Sequence, residues 1–205
     1  MKDNQMMKIN LPEPVTKGPV SVEETLLRRR SVREYLPGTL SLSEISQLLW
    51  SAYGITNEEG FRTAPSAGGL FPLRIYLASA NIEGLAAGLY KYNSGEHALE
   101  LKKEGPVIDQ ITAATFFQDY ISGAAAVLII SADYTGPNKE YGEQGPKFTW
   151  MDLGHLGQNV HLQAVALDIG TVAVAAVRPG EIEKIVGTPP EEEVLYLMPL
   201  GKTDY

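Results

Sequence analysis

Apolar side chains recur along the chain at two kinds of spacing, one helical and one of strand-like runs. Ile45, Leu48, Leu49 and Ala52 fall three and four positions apart and line one face of a helix. Ser41 and Glu44 precede that face at capping-box spacing, and Gly54 closes it as a C-cap. Ser21 and Glu24 repeat the spacing, so a shorter helix begins at Ser21 and runs through Glu23, Leu26 and Leu27. Residues 148–167 hold helical spacing but are apolar on most sides, with Met151, Leu153, Leu156, Val160, Leu162 and Val165. A helix apolar on more than one face is buried within its domain or against a second subunit. Gly154 and Gly157 would let another helix approach it closely. Shorter helices are expected over residues 106–117 and 181–186.

The strand-like runs lie between these helices. Residues 74–78 alternate, and residues 89–92 and 98–101 flank Asn93-Ser94-Gly95 as a hairpin. Residues 125–131 are apolar up to the closing Ser131, the pattern of a central strand covered on both faces. Residues 171–177 form a β-branched run and residues 194–200 a last strand. Residues 1–19 show little periodicity and are expected as an extended arm. Residues 61–72 are expected as a loop, as are residues 133–146, whose three glycines and two prolines suggest mobility. Strands and helices interleave without a regular βαβ rhythm, which fits an α+β domain with a central mixed or antiparallel sheet.

At 205 residues the chain is most simply a single domain spanning 1–205, long enough for a sizeable core. It contains no cysteine, which excludes disulfides, thiolate metal sites and a cysteine nucleophile. His97, His155 and His161 do not fall at i,i+4 spacing, so no metal site is expected. The N-terminal residues are polar and lack the apolar core of a signal peptide. The longest apolar run, residues 123–130, is too short to span a bilayer, so a cytoplasmic protein without membrane contact is expected.

Charge changes the picture at one place. The formal net charge is -8, yet Arg28, Arg29, Arg30 and Arg33 fall within six positions, at and just past the end of the first helix. Cations at a helix C-terminus complement the macrodipole, and for Arg28 alone that reading suffices. Nucleic-acid binding is disfavoured by the acidic remainder and a pI of ≈ 4.9. Several guanidinium groups around the Ser31 hydroxyl suit a phosphate, because they offer charge-assisted donors in fork geometry. A second candidate is Pro65-Ser66-Ala67-Gly68-Gly69-Leu70-Phe71-Pro72, where two adjacent glycines let the backbone approach a flat ligand.

Arg29-Arg30-Ser31-Val32-Arg33-Glu34-Tyr35 after a short helix resembles the N-terminal flavin signature of the nitroreductase family of FMN-dependent oxidoreductases. The glycine stretch resembles that family's Pro-Ser-Ser-x-Asn-x-Gln-Pro segment, and more closely the Pro-Ser-Ala-Gly-Gly-Leu-Tyr-Pro form of its SagB-type dehydrogenase branch. The resemblance implies a nitroreductase-like fold and a helix-mediated homodimer with FMN sites at the interface. It implies phosphate binding by Arg29, Arg30 and Ser31, and Arg33 beside N1 and O2 of the flavin, where negative charge appears on reduction. Pro65, Ser66, Ala67, Gly68 and Gly69 are implied to contact the flavin of the opposite protomer. Ala173, Val174 and Ala175 are implied to lie along the ring near N5. Lys202 matches a C-terminal basic position near the phosphate; the arginine that often follows is missing before Tyr205, which shifts the phosphate onto Arg29 and Arg30.

The activity so implied is electron transfer from NADH or NADPH through FMN to an oxidised small molecule, nitroaromatic- or quinone-like, in two half-reactions. A first alternative is a SagB-type dehydrogenase of azoline-like peptide heterocycles. Members of that branch carry an adjacent Lys-Tyr pair as base, whereas here Glu140 separates Lys139 from Tyr141, leaving Tyr141 as a possible substrate lid. A second alternative is a flavin-binding protein without turnover.

Overall fold

The computed structural model describes residues 7–204. Among them, seven strands form one sheet: β1 (Lys8–Asn10), β2 (Leu73–Ser79), β3 (Gly88–Asn93), β4 (Ala98–Glu104), β5 (Ala126–Asp133), β6 (Ile169–Thr171) and β7 (Glu192–Lys202). Their order is β1-β4-β3-β2-β5-β7-β6, and every ladder is antiparallel. Six helices accompany the sheet: α1 (Val22–Arg28), α2 (Leu42–Tyr53), α3 (Ile108–Ala113), α4 (Thr135–Tyr141), α5 (Gly145–Ala166) and α6 (Pro179–Val186).

The apolar run in β5 follows from its position. Leu128 and Ile130 join the core that includes Ile45, Leu48, Leu49, Leu156 and Val160 of α2 and α5. Val127 and Ile129 join the core that includes Ile108, Ile111, Ile182 and Val186 of α3 and α6. With both sheet faces covered, alternate residues have no polar side to show. The α2 prediction holds in detail, since Ser41 and Glu44 form a reciprocal capping box and the Gly54 amide donates to the Trp50 carbonyl.

Three expectations are corrected. First, residues 133–146 are not a mobile loop but contain α4, a single 3-10 turn and the start of α5. The Thr135 amide donates to the Asp133 carboxylate at 2.9 Å, and Pro137 and Pro146 fall in first turns, where a missing N–H costs nothing. Second, residues 171–177 are not a strand beyond Thr171. Val174 exchanges two hydrogen bonds with Leu197 (2.8 and 3.0 Å), and Val172, Val174 and Val177 are buried while Ala173, Ala175 and Ala176 are exposed. The β-branched run thus records burial, not ladder pairing.

The arm is docked where it is described: β1 pairs with β4, and Gln47 binds both the amide and the carbonyl of Val15 (2.8 and 3.1 Å). Residues 1–6 of the arm lie outside the described residues. Third, the apolar breadth of α5 does not require a second subunit. Leu156, Val160 and Val165 are fully buried within the one chain, and a Cβ on Gly157 would collide with the Tyr196 hydroxyl of β7. That glycine admits a tyrosine, not a helix.

Candidate functional site

The arginine stretch is laid along the β6–β7 edge of the sheet. Ser21 caps α1 by accepting from the Glu24 amide at 3.1 Å, and the Arg29 amide donates to the Thr25 carbonyl at the other end. Arg28 is a structural cation, paired with Glu24 at 2.8 Å and Asp168 at 3.1 Å. Arg30 folds back to donate to the Leu27 and Arg29 carbonyls (3.0 and 2.8 Å), which satisfies orphan acceptors at the helix end. The chain then extends: the Val32 amide donates to the Thr171 carbonyl at 3.0 Å and the Leu36 amide to the Lys202 carbonyl at 2.9 Å.

Two glycines make that path possible. Gly170 and Gly201 face each other across β6 and β7. A Cβ on Gly170 would lie 2.6 Å from the Val32 side chain, and one on Gly201 would lie 2.5 Å from the Tyr35 ring. With Val32 and Tyr35 seated on the glycines, Ser31 and Arg33 stay exposed. Among the described residues Arg33 has neither an ion-pair nor a hydrogen-bond partner. Just past Thr171, Ala173 and Ala175 offer a floor of small exposed side chains around the buried Val174. Lys202 is placed at the same edge, but its ammonium engages the Glu44 carboxylate of α2. Burial pushes Glu44 up, and the bonds from Lys202 and Ser41 outweigh it and hold the carboxyl below its usual range.

One buried group here escaped the sequence reading. His161 of α5 is 9% exposed, and its Nδ1 has no hydrogen-bond partner. Burial, and then repulsion from Arg29, lower its pKa to about 4, so it is neutral at neutral pH. No motif marks it; the signal was a histidine among the apolar positions Leu156, Val160, Ala164 and Val165 of α5.

The glycine loop forms a second group. Gly68 and Gly69 adopt φ +60 and +64, the left-handed region that glycine enters without strain. Asp152 of α5, 4% exposed, holds the loop: it accepts from the Ser66 hydroxyl at 2.6 Å and from the Ala67 amide at 3.2 Å. The Ser66 oxygen in turn accepts from the Phe71 amide at 3.0 Å. Pro65, Gly68 and Gly69 are exposed. The Tyr141 hydroxyl lies against Gly68, where a Cβ would collide with it, and the Tyr141 ring meets Phe148 edge-on at 4.9 Å.

The predicted residues therefore fall into two groups on α5. Arg29, Arg30, Ser31, Arg33, Ala173, Val174, Ala175 and Lys202 gather at the sheet edge, with His161 behind them. Pro65 to Gly69 and Tyr141 gather around Asp152. At ~1.5 Å rise per residue, His161 and Asp152 are roughly 14 Å apart along the helix. Among the described residues no hydrogen bond joins the two groups directly, and no cluster of side chains could hold a metal ion.

Residues 26–202 match the nitroreductase family, a span that takes in both groups. The chain belongs to the nitroreductase family. It is 39% identical over 196 residues to a nitroreductase-family protein of Methanocaldococcus jannaschii, covering 96% of each chain. Its α+β fold is the nitroreductase fold: a crystal structure of a family member from Ralstonia eutropha superposes with a TM-score of 0.85 at 28% identity, over 97% of this chain and 90% of that one. The NADPH:FMN oxidoreductase of Vibrio harveyi, solved with NAD+, shares the fold at a TM-score of 0.64 and 18% identity, over 90% of this chain and 69% of its own. Membership makes this nitroreductase-family chain an oxidoreductase, and no helix among its described residues is long and apolar enough to cross a membrane.

Proposed function

We propose that the chain is an FMN-dependent oxidoreductase that takes electrons from NADH or NADPH and passes them to an oxidised small molecule of nitroaromatic or quinone type. The observation that carries this is Arg33, an exposed guanidinium without a partner among the described residues, held on the glycine-seated edge that continues into Ala173 and Ala175. The donor set fits the cofactor. Arg29, Arg30 and Ser31 suit its phosphate, small exposed side chains suit a planar ring, and an unpaired cation suits the ring edge that gains charge. When bound, FMN supplies hydride acceptance and donation. The residues bind it, orient it and stabilise its negative charge. Lys202, engaged with Glu44, stands as a secondary phosphate contact.

Since the glycine loop and the arginine edge are distinct groups, we infer that the loop serves the flavin of a partner protomer in a homodimer. Leu26, Leu27, Trp150 and Met151 are large apolar side chains 50–75% exposed, and such surface favours an interface. The closeness of the glycine loop to the SagB-type form supports an azoline dehydrogenase as a second reading. Against it, Lys139 and Tyr141 project from α4 roughly 200° apart, which separates the two side chains of a base pair.

The test is the absorption spectrum of the purified protein, followed by anaerobic titration with both nicotinamides. Bound FMN bleached by NADH or NADPH and recoloured by a quinone is the expected outcome. Bound flavin that neither nicotinamide reduces would make this a flavin-binding protein, and a flavin-free protein that does not take up FMN would overturn the reading.

A further inference from the structure

Beyond the outer end of the glycine loop, β2 and β3 separate. Their ladder runs from Tyr76–Lys91 to Ser79–Gly88, whereas Leu73, Arg74 and Ile75 pair with β5 and not with β3. The opening is a cavity of about 470 Å³ lined by Leu73–Ile75 of β2, by residues 91–94, and by Tyr53, Arg62 and Phe71 among others. That size suits a small organic molecule.

Its charge is unlike that of the rest of the protein. Arg62, Arg74 and Lys91 line it with Glu100 as the acidic member, in a chain of net charge -8. Glu100 is already engaged, accepting from the Asn93 amide at 2.8 Å. The Arg62 guanidinium is wedged between the Tyr53 and Phe71 rings, 4.4 and 4.8 Å from their centroids, and donates to the Ser94 hydroxyl at 2.8 Å. Burial disfavours its charged form, and Arg74 adds repulsion that the Tyr53 and Tyr92 hydroxyls oppose only if ionised. Arg62 Nε, itself closed off from the cavity, has no hydrogen-bond partner among the described residues. Lys91 meets only the Tyr76 ring at 5.3 Å and Glu192 at 3.9 Å, too far for a strong pair.

We propose that this slot binds a small organic molecule by its oxyanion, a carboxylate or a phosphate monoester. Arg62, Arg74 and Lys91 supply the charge, Ser94 and Asn93 supply neutral polar groups, and Phe71 and Tyr92 cover the apolar body. An anion there relieves the Arg62–Arg74 repulsion, and planar guanidinium groups favour a forked oxyanion over a spherical halide. The slot includes none of the residues of the arginine edge, although Phe71 belongs to the glycine loop.

The experiment is titration calorimetry at low ionic strength on the protein saturated with whatever flavin it retains. The probes are benzoate, phenyl phosphate and inorganic phosphate. Saturable binding of benzoate or phenyl phosphate is expected, several-fold tighter than inorganic phosphate and weakened by added salt. Arg62→Gln and Lys91→Gln should each weaken it about fivefold or more. Should Arg62→Gln lose its near-UV circular dichroism, Lys91→Gln decides alone, since Lys91 has no close bond to lose. No saturable binding of any probe, or unchanged affinity in Lys91→Gln, overturns the proposal. Inorganic phosphate binding as tightly as both organic anions overturns the organic ligand. Binding lost in Arg29→Ala but kept in Arg62→Gln assigns the anion to the arginine edge and overturns the slot.

Discussion

Arg29 and Arg33 are four positions apart, but a bound flavin should feel them differently. The phosphate facing Arg29 keeps its charge on reduction, so Arg29→Ala should weaken both redox states alike. The ring edge facing Arg33 gains charge, so Arg33→Ala should weaken the reduced state more and lower the midpoint potential. Arg33 is exposed, and exposed charge pairs are weak, so a drop of about 10–30 mV is expected for the two-electron couple. Spectroelectrochemical titration of both variants saturated with FMN checks this, and an unmoved potential in Arg33→Ala removes its role. His161 makes a separate prediction. Its folded pKa of about 4 lies below the unfolded value of 6.5, so the unfolded chain takes up the proton first as pH falls. Its contribution is therefore fully present above pH 6.5 and is lost as pH falls towards 4, by at most about 3 kcal/mol. Urea unfolding at pH 7 and pH 4.5 should show wild type losing more stability than His161→Phe over that interval. Because Arg29 repels the imidazolium, Arg29→Ala should also raise the His161 pKa, visible as a shifted ring-proton titration by NMR.

Elements, unlike residues, depend on what they lean against. Asp152 leans on the glycine loop through two bonds, and Asp152→Ala leaves the half-buried Ala67 and Ser66 donors unmet. That should cost roughly 1–3 kcal/mol and open residues 65–71 to limited proteolysis; full protease resistance would show that the loop is held by other contacts. Gly201→Ala forces a methyl into the Tyr35 ring and should destabilise by about 1–3 kcal/mol. It should also lift the arginine stretch and reduce flavin retention, measured by thermal melting and by FMN titration. The same dependence decides what was readable in the chain. Ser41, Glu44 and Gly54 announced α2 because a cap is local chemistry. β5 was plain because two-sided burial leaves an unbroken apolar run. The arginine edge stood out because clustered cations depart from an acidic background. By contrast, α4 was misread because glycine and proline are read as breakers, while its start depends on Asp133 and its one proline, Pro137, falls in its first turn. Residues 172–177 were misread because β-branching signals burial as readily as pairing. Asp152 was invisible as a loop anchor because its partner Ser66 lies 86 positions away, and the slot between β2 and β3 exists only where two strands part.

For the whole molecule, the proposed dimer rests on its outer surface. The apolar side chains of α5 that suggested a partner are largely satisfied inside the chain, and the exposed Leu26, Leu27, Trp150 and Met151 take their place as the reason. Light scattering at micromolar concentration should give twice the mass of 22.3 kDa, and Leu27→Glu should shift the population towards monomer. Monomeric mass for the flavin-loaded wild type would end the proposal. The seating of residues 32–36 on β6 and β7 also bears on how the protein is made. Those residues are synthesised well before their backbone partners Thr171 and Lys202. Until β7 emerges, β5 has no neighbour on one side and presents an open, largely apolar strand edge, the kind that templates aggregation. The arginine edge thus waits on β7: a nascent chain halted before residue 192 has already translated every residue of the arginine stretch and of the Ala173–Ala175 floor, yet lacks the strand that assembles them, and during that interval it depends on chaperones more than a protein with local contacts does.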